Sequence, residues 1–198
     1  ELENLLVALE GALLDRPRGP RVWIQVVGEP GIGRSRLIAE VATRLRLQGV
    51  ACLELTGLEA GTGGSCDEVL ELATKGPVLV TVRDLDSASA DAQVAALKLV
   101  KQAAGAQLNL VVVLTLNTDL GGGFAKELAK AAALSTPYVV ELGRLARGPL
   151  GVLIKTALGL EVVPERLLDL TYGWCGGKPG LARLALTRLF EAGALEHE

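Results

Sequence analysis

Apolar positions along this chain switch between two periods. Over residues 2–14, Leu2, Leu5, Leu6, Leu9 and Leu13 recur three and four residues apart, which predicts a helix with one apolar face. Asp15-Arg-Pro-Arg-Gly-Pro20 breaks that pattern. Residues 22–27 are rich in β-formers and predict a central strand that runs straight into Gly28. From Ser35 to about Gln48, Leu37, Ile38, Val41 and Leu45 share a helical face.

The same alternation then repeats. Strands are predicted at 50–55, 78–82, 108–116 and 138–142. Helices are predicted at 66–75, stopped by Gly76-Pro77, at 91–104, entered through Ser87 or Ser89 as N-cap, and at about 124–133 after Gly121-Gly-Gly123. Residues 57–65, with four glycines, form a connection. No helix start with Lys or Arg follows Gly61-Thr-Gly-Gly64, so it is not a second phosphate loop. From Arg147 onward the strands stop, and helices are predicted at 149–158, 164–170 and 179–192. Strands apolar on both faces, alternating with helices, imply an α/β fold with a parallel sheet covered on both sides. A small helical appendage follows.

Composition narrows the picture. The chain has 198 residues, enough for one medium domain or a core with a small appendage. Hydrophobic residues make up 49% and aromatics only 3%, so the core is built from Leu, Val, Ile and Ala, and a base-stacking surface has little to build on. The net charge is −3, and the 20 Lys and Arg are spread without a polybasic block, which argues against direct nucleic-acid binding. The longest apolar run, 108–116, is too short to span a membrane. Cys52, Cys66 and Cys175 make neither a disulfide framework nor a zinc motif, and His197 is the only histidine. A reducing, cytoplasmic setting with no signal peptide and no structural metal is expected. The start at Glu1 and the end in Leu-Glu-His-Glu suggest a piece of a larger protein.

The chemistry concentrates in Gly28-Glu29-Pro30-Gly31-Ile32-Gly33-Arg34-Ser35. This fits G-x-x-x-x-G-K-[ST] at every position but one. Glycines allow backbone amides to turn inward around phosphate oxygens. A helix that starts near Ser35 would point its positive end at the same group. The Ser35 hydroxyl holds the place that normally ligates Mg²⁺. Arg34 replaces the expected Lys. It keeps the charge, but its planar fork is longer than a compact ammonium, so stabilisation of a transition state suffers more than affinity. The alternative is a strand-to-helix turn without a ligand. The predicted strand before the loop and amphipathic helix after it favour phosphate binding.

Residues Val26 through Glu40 resemble the loop of the STAND branch of AAA+ ATPases, in particular the AAA-16 type found in bacterial LuxR-type regulators, adenylate cyclases and large Ser/Thr kinases. That family's loop reads G-E-P-G-I-G-K-[ST]-R-L. The resemblance extends over nearly the whole chain. Glu1-Leu-Glu-Asn-Leu-Leu is similar to the family's opening helix, and the segment between Thr56 and Pro77 is shorter than in the family. It implies a P-loop NTPase three-layer sandwich over residues 1–146, with a parallel five-stranded sheet, and a helical lid subdomain over 147–198. It also implies ATP or ADP with Mg²⁺, and Gly28, Glu29, Pro30, Gly31, Ile32, Gly33, Arg34, Ser35 and Arg36 as the nucleotide-binding loop. Gly177-Lys178-Pro179 is similar to the family's G-x-P motif, which implies a contact of Pro179 with the base.

The family's acidic strand end, D-D-L, aligns with Arg83-Asp84-Leu85. Arg83 thus stands where the Mg²⁺-ligating Asp belongs, and an Arg cannot ligate a cation. Asp84 falls on the second acidic position. The resemblance gives it the positioning of water and, by a small adjustment, a share of the metal; side-chain alternation along an extended strand opposes that adjustment. Asp84 and Asp86 as a solvated helix-entry cluster is the competing reading. Asn117, at the end of a strand, is either a polar sensor of the terminal phosphate or a turn former. Asp84 and Asn117 are therefore the candidate catalytic groups, and Ser35 and Asp84 the candidate metal ligands.

Two functions follow. The first is a nucleotide-dependent signalling switch, in which ATP sits between the sheet's C-terminal edge and the helical appendage and reorients neighbouring domains. The second is a pseudo-ATPase scaffold for oligomerisation or protein interaction, since Arg34 and Arg83 each remove something that hydrolysis uses. A small-molecule kinase is a weaker third, because neither an Arg-bearing lid nor an acceptor pocket is recognisable. The expected partners are nucleotide, other domains of the same polypeptide and a homo-oligomer, with no direct nucleic acid and no membrane.

Overall fold

The computed structural model describes residues 2–13, 23–55, 66–105, 108–118, 122–134 and 136–194. The breaker at 15–20, the connection at 57–65, Gly121 and His197 lie outside the described residues. The elements run α1 (Leu2–Leu13), β1 (Trp23–Gly28), α2 (Arg34–Leu47), β2 (Ala51–Leu55), α3 (Cys66–Lys75), β3 (Val78–Val82), a 3-10 turn (Leu85–Ser87), α4 (Ala90–Gly105), β4 (Leu110–Leu116), α5 (Gly122–Leu134), β5 (Tyr138–Leu142), α6 (Arg147–Leu158), α7 (Glu165–Cys175) and α8 (Pro179–Glu191). The chain divides into two compact units, residues 1–28 with 34–141, and residues 29–33 with 142–198.

The first unit is built on a five-stranded parallel sheet in the order β2-β3-β4-β1-β5. Val78 pairs with Leu110 in β3 and β4, and Trp23 pairs with Val112 in β1 and β4. Every residue of β3 and β4 is buried, which is why these strands read as near-continuous apolar runs, interrupted only by Thr81 and Thr115. Val78, Val80, Val82, Leu110, Val112, Leu114 and Leu116 form one core with Val69 and Ala73 of α3, Leu97 and Val100 of α4, and Leu128 of α5. On α1, Leu5 and Leu9 are buried, as are Val41 and Leu45 on α2. These two helices pack on each other and on β1, β2 and β4. The sheet is therefore the middle of three layers. Leu114 is fully buried, and its truncation to Ala costs about 2–5 kcal/mol.

Three local features refine the sequence pattern. Strand β4 begins at Leu110 rather than 108, where its ladder with β3 begins. Ser89 is the cap of α4: its Oγ accepts the Ala92 N–H at 3.3 Å. Helix α7 passes through Gly173 and ends only where Gly176 enters the left-handed region at φ 55°.

The second unit contains α6, α7 and α8 around Leu150, Ile154, Cys175, Ala182 and Leu186. Arg147, at the start of α6, pairs with Glu165 and with Asp169 (2.6 Å) on α7. No helix among the described residues is long and apolar enough to cross a membrane.

Strand order places the chemistry. After β1 the chain moves to the far edge at β2, whereas after β4 it crosses to β5 on the other side of β1. Such a reversal opens a crevice at the carboxyl ends of the strands, where open α/β sheets bind ligands. Gly28, Val82 and Leu116 stand at the carboxyl ends of β1, β3 and β4.

Candidate nucleotide-binding site

The loop after β1 is a bend. Gly31 has φ 81° and Gly33 has φ 106°, a region that strains any residue with a Cβ. A Cβ at either position would meet nothing within 4 Å, so conformation rather than crowding calls for glycine. The Ile32 N–H donates to the Glu29 carbonyl at 3.2 Å, and the Ile32 side chain is buried. Pro30 is exposed, and so are Ser35 and Arg36 in the first turn of α2. The amides of that first turn have no acceptor within their own helix.

Within the first unit, the ends of the strands carry a row of paired charges. Arg34 opens α2 and is only 8% exposed. Its Nη2 donates to Oδ1 of Asp84 at 2.8 Å, while its Nη1 is buried without an acceptor among the described residues. Asp84 has φ 47° and is the one non-glycine with positive φ among the described residues. Its N–H donates to Oγ1 of Thr115 at 2.7 Å. Val82 pairs with Leu114, so Asp84, two residues further on, comes alongside the buried Thr115. Arg83 forms an ion pair with Glu54 at the end of β2. Asp86 accepts the Asn117 N–H at 3.2 Å and its Nδ2 at 2.5 Å. The Oδ1 of Asn117 is buried without a partner among the described residues.

Strand alternation does not govern Asp84, because β3 ends at Val82 and the left-handed residue turns the chain there. Nor does its carboxylate cap the following 3-10 turn; it goes to Arg34. Asn117 stands at the end of β4 and is tied to the acidic turn through Asp86. Thr115 and Glu54 are site residues that the sequence pattern does not single out. A threonine inside a valine-rich strand and a glutamate on an edge strand both look ordinary there.

Within the second unit, residues 29–33 are held by the helical segment. Glu29 accepts both Nε and Nη2 of Arg144 at 2.9 Å, and Lys178 Nζ lies 2.5 Å from its Oε2. These hydrogen bonds, from Arg144 first and Lys178 next, lower the Glu29 carboxyl from 4.5 to about 2. The Gly180 N–H, in the first turn of α8, donates to the Gly31 carbonyl at 2.8 Å. The contact is so close that a Cβ on Gly180 would lie 2.9 Å from that oxygen. Pro179 is the first residue of α8, where its missing N–H costs nothing. Gly177, at φ 80°, presents its carbonyl to the Leu145 N–H at 2.8 Å. Lys178 lies inside the Gly-Lys-Pro motif, but nothing in the sequence marks Arg144 as the partner of Glu29.

No protein-family profile matches the sequence, and no curated protein matches it. Solved structures do. The chain is similar to C. elegans PCH-2, with 18% identity and a TM-score of 0.55 over 80% of this chain and 46% of that one. It is similar to a chain of the E. coli MS115-1 HORMA:CdnC:Trip13 complex, with 14% identity and a TM-score of 0.61 over 90% and 73% of the two chains. It is also similar to Aeropyrum pernix ORC2, solved as ADPNP-ADP complexes, with 15% identity and a TM-score of 0.65 over 98% of this chain and 62% of that one. The chain spans less than half of the PCH-2 chain and less than two thirds of the ORC2 chain. At these identities the likeness is one of fold: an α/β three-layer sandwich on a five-stranded parallel sheet.

Proposed function

We propose that this chain is the nucleotide-binding module of a STAND-type regulator, a switch that binds ATP and ADP with weak or absent hydrolysis. The observation that carries the proposal is the glycine bend at 28–35. Its two positive-φ residues sit between a central strand and a helix start, at the strand reversal of the sheet. Amides in such a bend, with the free amides of the following helix turn, form a concave anion site. The ADPNP-ADP complexes of the ORC2 structure are consistent with a nucleotide as that anion.

In this reading Gly28 through Ser35, with Arg36, form the phosphate-binding loop, and residues 147–198 form the lid, with Pro179 toward the base. Asp84 is the group that would position water. With its carboxylate held by Arg34, it is not free to orient water, and turnover is slow. The loss of one charge-stabilising donor alone lowers kcat by about 10²–10³ in well-studied hydrolases. Calorimetric titration with ATP and ADP, followed by a phosphate-release assay, tests the proposal. Saturable binding with little release supports it, and no binding at millimolar nucleotide rejects it.

The pairs Arg34–Asp84 and Arg83–Glu54 favour a second reading, a pseudo-ATPase acting as an oligomerisation or interaction scaffold. The double reversion Arg34→Lys with Arg83→Asp separates the two effects. If it hydrolyses ATP no better than the parent, these two positions are not what disables the site. A parent that already turns over ATP with Mg²⁺ dependence rejects the scaffold.

A further inference from the structure

We infer that this site takes nucleotide phosphates without a divalent cation, with the Arg34 guanidinium standing in for Mg²⁺. The inference rests on the nucleotide-binding reading above and specifies the chemistry of that same loop. Mg²⁺ is the ion that the resemblance to STAND ATPases implies. It needs several oxygen ligands in near-octahedral geometry, usually one or two carboxylates with waters and phosphates.

The residues present do not fit that ion. Position 83 holds a cation, and its partner Glu54 is thereby engaged. The Asp84 carboxylate accepts Nη2 of Arg34. Both oxygens of Asp86 accept from Asn117. Ser35 offers a lone hydroxyl, and among the described residues no group of three or more His, Cys, Asp or Glu could hold a metal. A metal ion on the other oxygen of Asp84 would stand beside the Arg34 guanidinium held on Oδ1, like charge against like charge, and one that displaced it would leave a cation only 9% exposed without its counter-ion.

The Arg34 guanidinium, by contrast, is equipped for phosphate. It carries five donors in a rigid fork suited to phosphate oxygens. Asp84 holds one arm of the fork at 2.8 Å, which fixes its plane. The other arm, Nη1, is buried with no acceptor among the described residues. A buried donor left unpaired is unfavourable, and a phosphate oxygen supplies the acceptor it lacks once a shift of the Arg34 side chain opens that nitrogen to the loop. One guanidinium thus provides a fixed positive charge beside the helix start, the role a metal plays elsewhere, and Asp84 serves it as a positioning residue.

The experiment is calorimetry of the unmodified chain with ADP and with ATP, once in excess EDTA and once in Mg²⁺. The expected result is the same affinity in both within about threefold. Binding at least tenfold tighter with Mg²⁺ overturns the inference while leaving nucleotide binding intact. No binding in either buffer overturns both. The double variant Arg34→Lys with Arg83→Asp, if its circular dichroism matches the parent, should acquire a Mg²⁺ preference of about tenfold or more. A folded double variant as indifferent to Mg²⁺ as the parent counts against the role given to Arg34.

Discussion

The guanidinium of Arg34 lies 2.8 Å from Oδ1 of Asp84, joining the first residue of helix α2 to the turn after strand β3. The pair is asymmetric: the side chain of Arg34 is 9% exposed, that of Asp84 53%. The buried partner depends on the exposed one, because water reaches Asp84 freely but hardly reaches Arg34.

Asp84→Asn should therefore destabilise the fold by about 1–3 kcal/mol, since it leaves a buried cation with only a neutral acceptor. Chemical denaturation with an unchanged m-value checks this. The Asp86→Asn variant keeps an acceptor for Asn117 and should cost less. Equal loss in the two variants would mean that the Arg34 charge is not what Asp84 serves.

Glu29 gives a pH signature. Its folded pKa is depressed, from 4.5 to about 2, by hydrogen bonds from Arg144 and then Lys178. A depressed carboxyl stabilises the fold above its unfolded value and loses that contribution as pH falls through its folded value. The stability difference between the parent and Glu29→Gln should thus be full above pH 4.5 and fade towards pH 2. Thermal unfolding over that range reads it out. A difference that does not change with pH would mean that the clasp with Arg144 and Lys178 does not form in solution.

The glycines of the second unit should rank by what a methyl group meets. Gly177→Ala combines a positive φ with a Cβ 2.3 Å from the Leu145 carbonyl oxygen, and should cost about 2 kcal/mol or more. Gly180→Ala presses on the Gly31 backbone at 2.9 Å and should cost about 1–2 kcal/mol, because that neighbour has to shift. Gly173→Ala, within α7 and with nothing nearby, should be neutral or stabilising by up to about 1 kcal/mol. Thermal unfolding of the three single variants decides the order.

Much of this was legible in the sequence. The apolar runs at 78–82 and 110–116, interrupted only by Thr81 and Thr115, pointed to burial on both faces, and they are β3 and β4, two of the three inner strands. The glycine spacing of the loop located its bend, because positive φ is written into residue type. What stayed hidden is pairing between distant positions. Arg34 and Asp84 are 50 residues apart, and Glu29 and Arg144 are 115 apart. Only the strand register and the turn at Asp84 bring the first pair together. The end of α7 was obscured for a different reason. The apolar pattern predicts its end at Leu170, yet the left-handed cap falls at Gly176, where the amide bonds back to Tyr172.

Replacement of Gly33 by Ala separates loop geometry from stability. At φ 106° a Cβ is strained, and the substitution should cost about 1–2 kcal/mol. It should also weaken ADP binding, because the amide that glycine turns inward would be misdirected. Gly49→Ala, also at positive φ but after α2 and away from the loop, should cost similar stability and leave binding unchanged.

The most direct measurement is amide NMR of the labelled chain during titration with ADP. If residues 28–35 hold the phosphates, the amide signals of Gly31, Gly33, Arg34 and Ser35 shift most and saturate together. Saturable nucleotide binding that leaves those four amides unmoved would contradict a phosphate site in this loop.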